Sequence, residues 1–273
     1  MPRPTNANSH HPRKLRTVPV LACLAVMAVG LPAAAAQAAP TVTVKAKVLP
    51  VPINPSSANS KNYPKTGNIL GAGASVETMI TIRGTEYGGF PSPLTGVVVD
   101  LPSGTKLHPS GFSTCSAAIL ETHEVQKCPK KSIASPQGEV LGVVSFGATR
   151  VPEKATVQAF FTTGGNLAFF TEGRSPASIE ILSTGKFSTA PKPFGPKLTA
   201  AVPLVETVPE APYASVESIK IKVGAAFMQG KKLISYGTVP TKCPKGGFPA
   251  KTELTFLSGE TTTTSIKVPC PKK

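Results

Sequence analysis

Six residues with metal-binding or acid–base side chains fall within a span of 21: His108, Cys115, Glu121, His123, Glu124 and Cys128. Two histidines and two cysteines are the ligand types of a structural zinc site. Their spacing, His-x6-Cys-x7-His-x4-Cys, matches no common zinc pattern, and in an oxidising compartment cysteines pair with each other. His123-Glu124 opens like a zinc-protease helix, but Lys127 stands where the second histidine is needed. No metal or cofactor is therefore expected. Glu77, Glu139, Glu180 and Glu253 all lie on stretches that read as strands. Two of them facing each other about 5 Å or more apart across a groove could cleave a glycosidic bond. The commoner role for such residues is to face solvent beside lysines. The chain holds no Trp, the usual platform for a sugar. It has no Gly-x-Ser-x-Gly elbow and no Gly-rich phosphate loop ahead of a helix. Beyond residue 38 it offers two histidines and one aspartate, Asp100. No catalytic residue is assigned, and a non-enzymatic protein is expected.

The N-terminal segment sets the compartment. Arg13, Lys14 and Arg16 precede an apolar run from Val18 to Leu31, and Ala36-Gln37-Ala38 follows as a small-residue site. This is the pattern of a secretory signal peptide over residues 1–38, cut between Ala38 and Ala39. The apolar run is short for a membrane span of about 20 residues. No transmembrane segment is expected after cleavage, and the protein is expected outside the cell or in the envelope. Removing residues 1–38 from 273 leaves 235, with 25 Lys plus Arg against 14 Asp plus Glu. Only Arg83, Arg150 and Arg174 of those cations are arginines. Readers of bases and phosphates depend on Arg forks, so specific nucleic-acid binding is not expected. The excess lysine suits solubility and loose attraction to anionic envelope polymers. Four cysteines remain: Cys115, Cys128, Cys243 and Cys270. They imply two disulfides in one of three connectivities. Proximity along the chain favours Cys115–Cys128 and Cys243–Cys270.

The elements that must position these groups are strands. Ser75 to Arg83 and Val216 to Gly224 alternate plainly, with Ile219, Ile221 and Val223 on one face and Lys220 and Lys222 on the other. Lys251–Leu257 and Thr262–Val268 read as a final hairpin. Val157–Thr171 reads as a hairpin about Gly164-Gly165, with Phe160 opposite Phe169 and Ala159 opposite Phe170. Aromatics on both faces imply burial on both sides. Gly185-Lys186 reads as a turn, and Leu198–Val205 as an edge strand interrupted at Pro203. A short helix, Ser116–Glu121, capped by Ser113 or Thr114, is expected inside the loop stapled by Cys115 and Cys128.

About a dozen short strands punctuated by Gly and Pro predict an all-β fold, a β-sandwich or jelly-roll-like domain over 67–273. Residues 39–66 are read as an N-terminal strand and a Pro/Asn/Ser-rich segment.

Val99-Asp-Leu-Pro-Ser-Gly-Thr105, Gly111-Phe-Ser-Thr-Cys115, Cys128-Pro-Lys-Lys-Ser132, Gly164-Gly165 and Cys243-Pro-Lys-Gly-Gly247 follow one another in this order along most of the chain past residue 38. On these residues the sequence resembles a set of exported bacterial β-rich proteins with Cys-Pro-Lys motifs and no assigned activity. The resemblance implies export and a β-rich fold and carries no function. The expected function is a secreted binding or structural module at the cell surface or in the medium, its partner an anionic envelope polymer or another protein. The alternatives are a secreted hydrolase using paired glutamates, or an inhibitor presenting Pro191–Pro196 or the stapled Cys115–Cys128 loop.

Overall fold

The computed structural model describes residues 39–55, 61–63 and 69–271. The expected signal peptide and Ala38 lie outside the described residues; Ala39 is the first of them.

In chain order the strands are β1 (Thr41–Ile53), β2 (Lys61–Tyr63), β3 (Ala74–Arg83), β4 (Leu94–Pro102) and β5 (Lys106–Leu107), followed by the helix α1 (Ala117–Glu121). Next come β6 (Gly138–Phe146), β7 (Thr149–Thr162), β8 (Asn166–Gly173), β9 (Ile179–Thr189), β10 (Phe194–Ala201) and β11 (Ser215–Val223). The chain ends with β12 (Ala226–Gln229), β13 (Lys232–Ser235), β14 (Gly237–Thr238), β15 (Phe248–Phe256) and β16 (Thr261–Val268). The all-β expectation holds, and the layers that face each other are opposite walls of one continuous curled sheet.

Within the main sheet, which β12 and β13 extend beyond β1, the path β1-β3-β11-β6-β7-β8-β9-β10-β4-β15-β16 has every hydrogen-bonded neighbour antiparallel. This path has eleven strands. An odd number of alternating strands brings its first and last together pointing the same way. The structure shows that parallel meeting. The Thr262 hydroxyl donates to the Pro40 carbonyl at 2.8 Å, and the Thr264 hydroxyl to the Val42 carbonyl at 3.3 Å. Inside this seam Ala46 and Val48 of β1 pack with Ile266 and Val268 of β16. At its far end β1 also pairs with β2, and Ile53 bridges to Ala226 of β12.

Period-two alternation decides which side chains enter the enclosed space. On β1, Val44, Ala46 and Val48 line the interior, while Thr43, Lys45 and Lys47 face out. On β11, Ile219, Ile221 and Val223 line it, as expected from the sequence. A polar outer face over an apolar inside is the reverse of a membrane-spanning barrel. Among the described residues no helix is long and apolar enough to cross a membrane.

The two ends of the curl are densely packed. One holds Ile82, Leu94, Leu254 and Phe256. The other holds Phe161, Leu167, Ala225 and Tyr236, with Phe112, Phe169 and Phe187 against them. A small second sheet, β5 with β14, lies at this second end and contributes lining residues to the interior.

The hairpin register differs from the expected one. Thr162 pairs with Asn166, so Thr163-Gly164-Gly165 forms a three-residue loop, and Phe160 faces Ala168, Ala159 faces Phe169 and Gln158 faces Phe170. Both glycines take positive φ, 76° and 75°, where a side chain would be strained. The loop is held by Asn166 Nδ2 donating to the Thr163 carbonyl and by the Tyr236 hydroxyl donating to the Gly165 carbonyl at 2.6 Å. This one-residue shift re-sorts the aromatics. Phe160 and Phe170 share the outer face, and Phe161 and Phe169 the inner one. Burial on both sides holds.

Gly185 is not a turn. It lies within β9, where an added Cβ would sit 2.9 Å from Leu198 Cδ1 and 3.1 Å from Phe169 Cε2; the glycine lets those side chains close over it. β10 is an interior strand between β9 and β4, and it stops before Pro203.

Candidate ligand cavity

Between the two packed ends lies a cavity of about 320 Å³. That is inside the ~300–1,000 Å³ range of small-molecule sites. Its wall is built from the inward phase of every strand in the curl, with Thr78, Val99, Ala155, Ile181 and Ile221 near mid-strand. These residues are only half-buried although they point inward, because the space they face is unfilled. Thr105, Leu107 and Tyr236–Pro240 close it on the side of the small sheet.

Two buried polar side chains beside this wall each keep one atom without a hydrogen-bond partner among the described residues. Glu153 is 2% exposed and Ser215 1%. Glu153 Oε2 accepts from the Ala177 N–H at 3.0 Å. Glu153 Oε1 and the Ser215 hydroxyl find no hydrogen-bond partner among the described residues. Each such group costs about 1–3 kcal/mol, more when charged. The chain makes room for the carboxyl: a Cβ on Gly173 would lie 2.5 Å from Glu153 Oε1. Gly142 of β6 pairs with Glu153 on one side and with Val216 on the other, and a Cβ there would lie 2.7 Å from the Ser215 carbonyl oxygen. Glu153 and Ser215 thus stand on the strands flanking Gly142. Sequence reasoning passed over Glu153. The signal was present: Glu153, Ala155, Val157, Ala159 and Phe161 share one phase of β7, and a single carboxylate heads an otherwise apolar row.

Tyr236 borders the cavity from the packed end. Burial pushes its phenol well above the ordinary tyrosine value, so the hydroxyl stays a donor to Gly165.

The residues singled out in the sequence lie elsewhere. Cys115 and Cys128 are bonded, with Cα atoms 5.0 Å apart, and so are Cys243 and Cys270, at 6.1 Å. The first bridge staples an excursion carrying α1, which Ser116 caps through the Ile119 N–H; the cap falls on Ser116, not on Ser113 or Thr114. Leu120 and both cysteines of this bridge cover Phe160, Ala168 and Phe170 on the outer face of the hairpin. Among the described residues no group of three or more His, Cys, Asp or Glu could hold a metal ion. His108 donates its backbone N–H to the Tyr236 carbonyl at 2.6 Å, joining β5 to β14.

The glutamates of the hydrolase alternative do not line the cavity. Glu77 faces Lys222 across β3 and β11, and Lys222 is held below the usual lysine value by burial, against the pull of Glu77. Glu139 meets Lys220 at 3.9 Å and Glu253 meets Lys251 at 3.5 Å. Glu180 faces Glu172 across β8 and β9. Arg174 pairs with both, and His123 Nδ1 lies 2.9 Å from Glu180 Oε2. Glu124 takes Lys127 at 2.5 Å, and that hydrogen bond holds its carboxyl below the ordinary range. Asp100 is buried between Lys197 and Lys251, each 3.8 Å away. These carboxylates face cations, and their charge is offset where they stand.

The loops of the inhibitor alternative are tied down. Pro191–Pro196 runs from the β9–β10 connection into the start of β10, and is closed by Phe194 N–H donating to the Pro191 carbonyl and Ala190 N–H donating to the Gly195 carbonyl. The chain matches no family model, no curated protein and no solved structure.

Proposed function

We propose that the protein is exported and works without catalysis, as a binding protein that carries a small apolar molecule inside its curled sheet. The observation that carries this reading is the 320 Å³ apolar cavity enclosed by the inward face of the main sheet. An engineered apolar cavity of about 150 Å³ holds a benzene-sized guest, so this one suits a guest on the order of a dozen carbons. The leader over residues 1–38 supports export, and the two disulfides suit an oxidising compartment. The lysine-rich outer face supports residence beside an anionic envelope.

The test is a titration of purified residues 39–273 with N-phenyl-1-naphthylamine, an uncharged fluorophore that brightens in apolar surroundings. Saturable binding of one equivalent, displaced by medium-chain aliphatic compounds, is expected. Fluorescence that never saturates, or that ignores the competitors, would refute the reading.

A further inference from the structure

We infer that the seam between β1 and β16 is the doorway of the cavity, and that an apolar guest enters and leaves sideways between these two strands. The inference rests on the binding reading above and adds to it the route the guest takes.

Three observations carry it. First, the seam is held differently from every other junction around the curl. Each neighbour pair along the path from β1 to β16 is joined by a backbone ladder, whereas β1 and β16 share none. The polar links across the seam among the described residues are the Thr262 and Thr264 hydroxyls on the Pro40 and Val42 carbonyls, both toward the start of β1. Parting the seam breaks these side-chain bonds; parting any other junction breaks a ladder. Local opening follows the junction with fewer bonds to lose. Second, the seam leads straight into the cavity. Val44, Ala46 and Val48 of β1 and Ile266 and Val268 of β16 all line that space. These side chains are aliphatic, so the lips of the gap suit an apolar body. Third, the outer side of the seam is open to solvent. Thr43, Lys45 and Lys47 on one strand and Thr263, Ser265 and Lys267 on the other are exposed.

The other routes are obstructed. At one end Ile82, Leu254 and Phe256 are buried in a packed cluster, and at the other Phe161 and Leu167 are; these large side chains would have to swing out together. On the side of the small sheet the chain is tied by backbone bonds. The His108 N–H donates to the Tyr236 carbonyl, the Val239 N–H to the Ala72 carbonyl and the Gly71 N–H to the Pro240 carbonyl. The Cys243–Cys270 bridge anchors the segment just beyond.

The experiment clamps the seam. The hydroxyl contacts join residues 222 apart in the chain, and the same offset sets Thr43 beside Ser265 on the outer face. Thr43→Cys with Ser265→Cys, in residues 39–273 with the native disulfides intact, is bridged by 1,2-ethanediyl bismethanethiosulfonate, a short reagent that links thiols on adjacent strands. The same variant capped with methyl methanethiosulfonate is the unbridged control. Thr81→Cys with Ser218→Cys, opposite each other on β3 and β11, carries the bridge at a laddered junction. Stopped-flow mixing with N-phenyl-1-naphthylamine reads entry, and a chase with excess decan-1-ol reads exit. Bridging the seam is expected to slow both by about tenfold or more with the equilibrium affinity unchanged, because binding that waits on a conformational change slows with it. Bridging β3 to β11 should leave both rates as they were. Rates that ignore the seam bridge would overturn the inference and leave the cavity reading standing. Equal slowing by both bridges would overturn it too. A fluorophore that never binds the unaltered protein would sink the cavity reading itself. Should the seam bridge fail to form, Thr262→Val with Thr264→Val decides: entry and exit faster by about threefold or more support the doorway, and unchanged rates refute it.

Discussion

Ala46→Leu tests the cavity through the sign of a stability change. Ala46 lies on β1 opposite Thr78, and both line the space inside the curl. Leucine adds three carbons. Burying them is worth about 0.8 kcal/mol each, and fixing the side chain costs about 0.5–1 kcal/mol. The net is a stabilisation of about 1.5–2 kcal/mol, or roughly 3–8 °C in Tm for a domain of this size. In an interior already filled to ordinary density the same change would cost about 1–3 kcal/mol through overpacking. The two cases differ in sign, so small errors in magnitude do not matter. Urea unfolding followed by far-ultraviolet circular dichroism, with disulfides oxidised, is the assay. The midpoint should rise with the slope unchanged, and N-phenyl-1-naphthylamine should bind more weakly because its space is taken. A midpoint that falls by the equivalent of 1 kcal/mol or more would refute the cavity.

The seam between β1 and β16 predicts that Thr262→Val with Thr264→Val, which keeps shape and strand preference, costs about 1–3 kcal/mol in the same assay by removing two side-chain hydrogen bonds. Tyr236 predicts a pH dependence. Its protonated form is favoured in the fold, so its contribution is complete below the ordinary tyrosine value of about 10 and is lost as pH climbs through the raised one. In an alkaline titration followed by ultraviolet absorbance, one tyrosine should ionise only as the far-ultraviolet signal collapses, and Tyr236→Phe should delete that step.

The strands were legible wherever one face was polar. β3 and β11 show this: Glu77, Lys220 and Lys222 mark the outside, and Ile219, Ile221 and Val223 the inside. The staples were legible because the expected export and the short separations left proximity as the simplest rule. The hairpin was legible as a hairpin but not in register. Two adjacent glycines fit a two-residue turn as well as a three-residue loop, and contacts from Pro109, Asn166 and Tyr236, distant in sequence or hidden in it, select the latter. Gly185 misled because a glycine that permits close packing looks the same in sequence as one that permits a turn. Curling of one sheet was not legible. It depends on which strands become neighbours, and β3–β11 and β4–β15 join residues far apart in the chain. Glu153 was overlooked for a related reason: with Lys154 beside it, it resembles a surface pair until the phase of β7 is known.

The seam also sets a constraint in time. Its two strands are the first and the last of the main sheet, and the hydroxyl contacts that join them span 222 residues. A vectorially emerging chain can build hairpins such as β7–β8 early, since their partners are neighbours. It cannot close the ring until its final hairpin, β15–β16, has been released. Until then β1 presents an unpaired edge, the kind of template on which other strands add. The interval between synthesis of the first and last strands is thus the period of greatest hazard for this protein, and a helper that shields strand edges would matter most then.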